Sequence, residues 1–318
     1  MNDEHLPARD GWERELLSKL AFEQLRESRA RRRWSVFFRL SWLTLAIVVL
    51  AHAFDWWPDA SREGSTGRHT ALVKLEGAID EQARADPERI VEALRTAFKA
   101  TESAAVVLSV NSPGGSPVYA ARLYAEIRRL RTQYPDKPLF VVIDEICASG
   151  CYYVAAAADR IYAAPASLVG SIGVVYQGIG ADKLIEKIGI ENRTLTAGEH
   201  KAFLDPLAPL RPEHRAHMES VLAEVHQQFV RAVKEGRGNR LRESPSLFSG
   251  LVWSGAQALQ LGLIDGLASV DEVAREVVKA EDVLDYTPEE SPIDRFARRL
   301  GASFGQGLVE VLSRATVR

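Results

Sequence analysis

Three short segments hold residues whose types and spacing suit covalent chemistry. Asn111-Ser112-Pro113-Gly114-Gly115-Ser116 follows an apolar run and precedes a helical one. Paired glycines let backbone N–H groups point into a concavity with no Cβ in the way, so the turn suits an oxyanion or a phosphate, or is simply a turn. Cys147-Ala148-Ser149-Gly150-Cys151-Tyr152-Tyr153 follows the apolar run 138–144 and leads into YYVAAAA. A serine at a strand-to-helix junction among small residues is open to substrate, and the helix N-terminus beneath it favours a developing negative charge. The same position suits a plain helix cap, and spacing alone does not separate the two readings. In the third segment, TAGEHKAF (196–203), Lys201 sits in a polar loop, where a lysine is ordinarily a solvated surface charge. To act as a base it must be uncharged, which takes a desolvated pocket that pulls its pKa from about 10.4 toward neutrality.

Neighbouring residues keep other chemistries open. Cys147 and Cys151 flank Ser149, so a thiol nucleophile is an alternative, although cysteine also serves as a small packing residue. A disulfide between them calls for a geometry that four residues of helix rarely supply. His200 adjoins Lys201 and leaves a Ser–His–Asp arrangement on the table. His214 and His217 lie one helical turn apart, but no HExxH or third ligand accompanies them, so no metal site is expected.

The elements that must position these residues are short β-branched runs alternating with helical stretches. HTALVKLEG from His69, AAVVLSV (104–110), PLFVVID (138–144), RIYAA (160–164) and SIGVVYQ (171–177) read as strands. Asp86-Pro87-Glu88 opens a helix, with a capping oxygen, a preset proline φ and an acid near the positive dipole end. Further helices are expected from about 118 to 133, from 212 to about 235, from Ser254 to Gly262 and from about 270 to 280. Strands alternating with helices predict an α/β fold built on a mainly parallel sheet.

The first 57 residues read differently. Residues 1–33 are charge-dense and end in Arg29, Arg31, Arg32 and Arg33; residues 34–57 then run WSVFFRLSWLTLAIVVLAHAFDWW. A stretch of roughly 20 apolar residues spans a bilayer as a helix, and Arg39 lies near enough to its end to snorkel. The arginine run against Asp55 and Asp59 places 1–33 in the cytoplasm, 34–57 as a transmembrane anchor and the rest on the outer side. Ala51-His52-Ala53 resembles a cleavage site, but the preceding charged region is far too long for an ordinary signal peptide. Residues 58–68 are a polar linker. The tail 286–318 is amphipathic, with Phe296, Leu300, Phe304, Leu308, Val311 and Leu312 on one face, fit to pack on the protein's own core or a neighbouring subunit. The net charge of −3 argues against nucleic acid as the main partner.

In this order, NSPGG, ASG-x-YY, GSIGV (170–174) and AG-x-x-K (197–201) resemble the signal peptide peptidase A family, and VWSGAQALQLGLID (252–265) resembles its downstream segment. The likeness runs over roughly 70–280 and does not separate that family from SohB-like peptidases. It implies a peptidase domain at 69–285 with the spiral ββα fold of Clp proteases and crotonases, assembled as a homo-oligomeric ring in the bacterial inner membrane. The catalytic side would be periplasmic and the substrates peptides, among them signal-peptide remnants. It implies Ser149 as nucleophile, Lys201 as general base, Ser171 as the serine that orients the lysine, and an oxyanion hole from the N–H groups of Gly150 and Gly114. No cofactor is implied. Where the family usually has glycine or alanine, this chain has Cys151. A crotonase-type enzyme and a catalytically inactive membrane scaffold are the remaining alternatives.

Overall fold

The computed structural model describes residues 34, 36–48, 67–81, 85–242 and 244–288. The expected segment 1–33, most of the linker and the tail from 289 onward lie outside them. The chain divides into two units, one holding residues 62–288 and the other both ends of the sequence. In the second unit residues 36–48 form a helix, α1, whose large apolar side chains are exposed all round. Among the described residues no helix is long and apolar enough to cross a membrane; the expected span 34–57 runs past them from residue 49.

The 62–288 unit is built on β1 (His69–Glu76), α2 (Pro87–Lys99), β2 (Ser103–Ser112), α3 (Pro117–Gln133), β3 (Leu139–Ala148), α4 (Gly150–Ala155), β4 (Arg160–Ala163) and β5 (Leu168–Gly170). Then follow α5 (Asp182–Lys187), α6 (Pro212–Arg237), β6 (Val252–Ser254), α7 (Gly255–Gln260), β7 (Gly266–Leu267), α8 (Val270–Glu272) continuing as a π-helical turn, and β8 (Val283–Asp285). The sheet runs β6-β5-β3-β2-β1-β8, with β4 paired to both β3 and β7, and every pairing is parallel except β5 with β6.

Local chemistry sets several boundaries. The Asp86 carboxylate accepts the Glu88 N–H at 3.0 Å and Pro87 opens α2, as the sequence predicts. Ser254 with Gln257, and Ser269 with Glu272, form reciprocal capping boxes at α7 and α8. One expectation fails: 171–177 is not a strand. The strand is Leu168–Gly170, and the chain then leaves the sheet with Val175 and Tyr176 exposed.

Strand side chains alternate between two buried faces, which is why the parallel strands read as continuous apolar runs. Val73, Leu75, Leu108, Val141 and Ile143 face a core closed by α2, α3, α4 and α6. Leu72, Val107, Phe140 and Val142 face a smaller cluster with Val273, Val278 and Ala280. β3 serves two neighbours in turn. Its first half pairs with β4 through Phe140–Ile143, and its last residues, Ile146–Ala148, pair with β5. The C-terminal end of β3 therefore finishes beside Gly170, at the edge of the parallel sheet where ligands commonly bind.

A buried ion pair ties α6 to this framework. Arg237, fully buried, donates to both Asp265 oxygens at 2.7 and 2.9 Å and to the Gly262 carbonyl at 2.8 Å. Asp265 also accepts the Ile161 N–H, joining α6 to β4. One residue earlier, a Cβ on Gly236 would come within 1.8 Å of the Ala156 oxygen, so the helix touches the end of α4 backbone to backbone.

Burial alone pushes the Asp265 carboxyl up, but the hydrogen bonds and charge of Arg237 outweigh it and hold it below its usual range. Its contribution is therefore present above about pH 4 and lost as pH falls through the lowered value. Arg237→Met leaves the Asp265 carboxylate with only the more exposed Arg240, at 3.2 Å, and the Ile161 N–H, and should cost up to about 3 kcal/mol at pH 7, read by urea unfolding. The gap to wild type should narrow as pH drops below about 4; a gap unchanged at pH 3 would contradict this account.

Candidate active site

Ser149 sits between β3 and α4 with φ 53° and ψ −124°. A side chain with a Cβ rarely takes positive φ, and such a residue costs on the order of 1–3 kcal/mol unless its surroundings impose it. Here they do. The Ser149 N–H donates to the Gly170 carbonyl at 2.8 Å, tying the turn to β5, and the Ser149 carbonyl accepts the Tyr153 N–H at 3.1 Å inside α4. This strand–turn–helix places a serine side chain at the apex, half-buried, with the first N–H groups of α4 behind it.

The glycine turn is pressed against that apex. Gly114 has φ 100°, and a Cβ there would lie 2.7 Å from the Ala148 oxygen, 2.8 Å from the Gly150 nitrogen and 2.9 Å from the Ser149 Cβ. On its other side the turn bonds to residue 79: the Ile79 N–H donates to Gly114 and the Ser116 N–H to the Ile79 carbonyl. The Gly114 N–H itself donates to Ser112 Oγ at 3.1 Å. Gly115 and Gly150 both line the cleft.

Ser171 follows Gly170 directly, so one stretch of chain holds Ser149 by its carbonyl and presents Ser171 beside it. Ser171 also has positive φ, 50°, and its N–H donates to the Leu251 carbonyl at 2.8 Å. The Ile172 carbonyl accepts His226 Nε2–H from α6 at 3.2 Å. Sequence reasoning passed over His226, whose spacing on α6 carries no sign of that distant partner. The cleft has a volume of about 610 Å3, within the range that admits side chains of a bound ligand, and Ser149, Gly150 and Ser171 share it with Tyr153, Val174 and Phe229.

Lys201 is elsewhere. It lies exposed in a turn, its N–H bonded to the Gly198 carbonyl at 3.1 Å, and is not among the residues that line the Ser149 cleft. The chain between Gly173 and Arg211 contains no fully buried residue and exposes Val175 (74%), Ile179 (86%) and Leu195 (97%). Next to Lys201, His200 Nδ1 and His214 Nε2 approach to 3.4 Å, and Phe203 packs on His214 and His217. Among the described residues no group of three or more metal-ligating side chains gathers.

The cysteine expectations need correction. Cys147 and Cys151 are joined in a disulfide, with Cα atoms 5.1 Å apart. The span between them is not helix: Cys147 is the penultimate residue of β3, Cys151 belongs to the first turn of α4, and the left-handed Ser149 folds one back over the other. Neither cysteine is a free thiol, which removes the thiol nucleophile in this state.

Strand, serine at positive φ and helix, with a glycine turn against the serine, form an arrangement that exposes a serine hydroxyl the way serine hydrolases expose a nucleophile. Residues 131–284, which include Ser149, Ser171 and Lys201, match peptidase family S49, and the chain belongs to that family. It is 30% identical over 213 residues to the putative protease MJ0651 of Methanocaldococcus jannaschii, spanning 65% of this chain and 68% of that one. It is 30% identical over 183 residues to the putative signal peptide peptidase SppA of Enterococcus faecium, 57% and 52% of the two chains. A Brucella abortus protein named Na(+)/H(+) antiporter NhaA is 43% identical over 182 residues, 57% of this chain but only 25% of its own length.

Replacing Gly114 tests how tightly the turn and the apex are locked. Gly114→Ala should displace the Ser149 apex and lower cleavage of a fluorogenic peptide, on the order of a hundredfold for a shift of about 1 Å. Gly238→Ala, also at positive φ but with nothing within 4 Å of the added Cβ, should cost about 1–3 kcal/mol in stability and leave turnover intact. Equal effects of the two would show that backbone strain, not crowding of Ser149, governs the turn.

Proposed function

We propose that this chain is a membrane-anchored serine endopeptidase that cuts apolar peptide segments, including signal-peptide remnants, with a Ser149–Lys201 dyad. The observation that carries the reading is the left-handed Ser149 at the C-terminal end of a central parallel strand, with the Gly114–Gly115 turn against it. The fold is read as the spiral ββα type of Clp proteases and crotonases.

In the mechanism, uncharged Lys201 takes the Ser149 Oγ proton as the oxygen attacks the peptide carbonyl, and Ser171 holds the amine in line. The negative oxygen accepts N–H groups from Gly150 and from the glycine turn. Because the Gly114 N–H is engaged by Ser112 Oγ, Gly115 is the donor proposed from that turn. Each such donor is typically worth about 3 kcal/mol. Lys201 then returns its proton to the leaving amine, and water attacks the acyl-enzyme by the same route in reverse. Tyr153, Val174, Val225 and Phe229 give the cleft apolar walls, which favours apolar substrate side chains.

Lys201 reaches Ser149 from a neighbouring subunit in this proposal. The support is its exposed place on a segment that carries uncovered apolar side chains, which a second copy would cover in a head-to-tail ring. The anchor is supported by α1, a helix apolar around its whole circumference, which water does not favour. The arginines at 29 and 31–33 support a cytoplasmic N-terminus, with the catalytic unit on the periplasmic side of the inner membrane.

Ser149→Ala and Lys201→Ala should each lower cleavage of a synthetic signal peptide on the order of 10⁴-fold or more, and His200→Ala should not. Mixing the two inactive variants after dissociation and reassembly should restore cleavage, since one supplies the serine and the other the lysine. No recovery in reassembled oligomer would refute the cross-subunit dyad, and full activity of Lys201→Ala would refute the dyad itself.

A further inference from the structure

The nucleophile proposed above lies at the centre of a five-residue covalent loop, Cys147-Ala148-Ser149-Gly150-Cys151. We infer that the Cys147–Cys151 disulfide is a positioning element for the reaction, holding Ser149 in its left-handed conformation, so that full activity requires the bridge. The inference rests on Ser149 being the nucleophile.

Three observations carry it. First, the bridge spans a residue whose backbone is unfavourable. Ser149 at φ 53° is bounded on one side by the last residues of β3 and on the other by the first turn of α4, and the sulfurs join those two elements directly. Released from the bridge, the turn can relax toward an ordinary backbone by rotating α4 away from β3, which moves the side chain off the apex. Second, both cysteines are fully buried in the main core, so the bond is anchored at both ends by packed neighbours. Third, the loop is so short that it removes little freedom from the unfolded chain compared with a bridge across a long loop. Its effect is local to the apex, where Gly114 already crowds Ser149 and Gly150.

Opening the bridge is a balanced exchange. An external dithiol transfers two hydrogens, its own sulfurs form a disulfide, and Cys147 and Cys151 become thiols. Burial of both sulfurs makes that exchange depend on local opening of α4. The bridge suits the oxidising outer compartment in which the catalytic unit is placed above.

The test uses the full chain, with wild type, Ser149→Ala, Cys147→Ala, Cys151→Ala and the double cysteine variant. Thiol titration of the denatured, unreduced wild type should find no free thiol, and two after reduction. Each single cysteine variant and the double variant should lower kcat by the same factor, on the order of tenfold to a hundredfold, with KM changed less than about twofold. Equal losses are what removal of one shared bond gives, and reduction of the wild type separates that bond from packing, because it opens the bridge while keeping both side chains. Reduced wild type should match the variants and recover on reoxidation. Two free thiols in protein isolated from its own compartment, multiplicative losses, or unchanged kcat would each overturn the inference. Failure of the underlying reading is separately visible, because Ser149→Ala with its bridge intact would then still cleave.

Discussion

A single missing side chain governs the cleft. Gly114 brings its backbone so close to Ala148, Ser149 and Gly150 that no Cβ fits, and this contact fixes the glycine turn and the serine apex as one unit. The turn is held from behind by residue 79, and the apex is held from beside by the carbonyl of Gly170. Three segments far apart in sequence thus converge on one serine through backbone hydrogen bonds and steric contact. Backbone groups cannot be re-aimed by rotamer changes, so donors built this way are already in place when charge develops.

Rigidity is distributed unevenly. The Arg237–Asp265 pair, with its added bonds to Gly262 and Ile161, anchors the C-terminal end of α6 to the sheet, and the helix contacts α4 without intervening side chains. The stretch from Gly173 to Arg211 has no such anchorage; it exposes Ile179 and Leu195 and buries nothing completely. The serine and the glycine turn belong to the anchored part, and Lys201 belongs to the other. In the proposed mechanism the serine and its oxyanion donors therefore come from one chain and the base from outside the Ser149 cleft.

Much of the fold was legible because parallel strands buried on both faces must be largely apolar, and AAVVLSV and LFVVI are, save for Ser109. The cap of α2 was equally plain from Asp86-Pro87, and the start of α7 fell at Ser254. The strand expected at 171–177 was misplaced because apolar residues there look like those of a strand while standing exposed, and hydrophobicity does not report what covers it. The junction at Ser149 could be placed from the small residues around it. Its positive φ could not, since nothing in a serine announces it, and without that turn four residues of helix rarely supply the geometry for a Cys147–Cys151 bond. The Arg237–Asp265 pair was invisible for a simpler reason: two ordinary charges joined only by tertiary packing.

The outermost pairing of the sheet bears on how the protein is made. β1 is the first strand of the catalytic unit and β8 the last, yet they lie side by side, with His69 stacked on Tyr286 and bonded to its hydroxyl across 217 positions. During synthesis the outer edge of β1 therefore stays unpaired until nearly the whole unit has left the ribosome. An open apolar edge of this kind templates association with other chains, and distant pairings of this kind form slowly. A nascent chain in this state is a natural client for a holding chaperone.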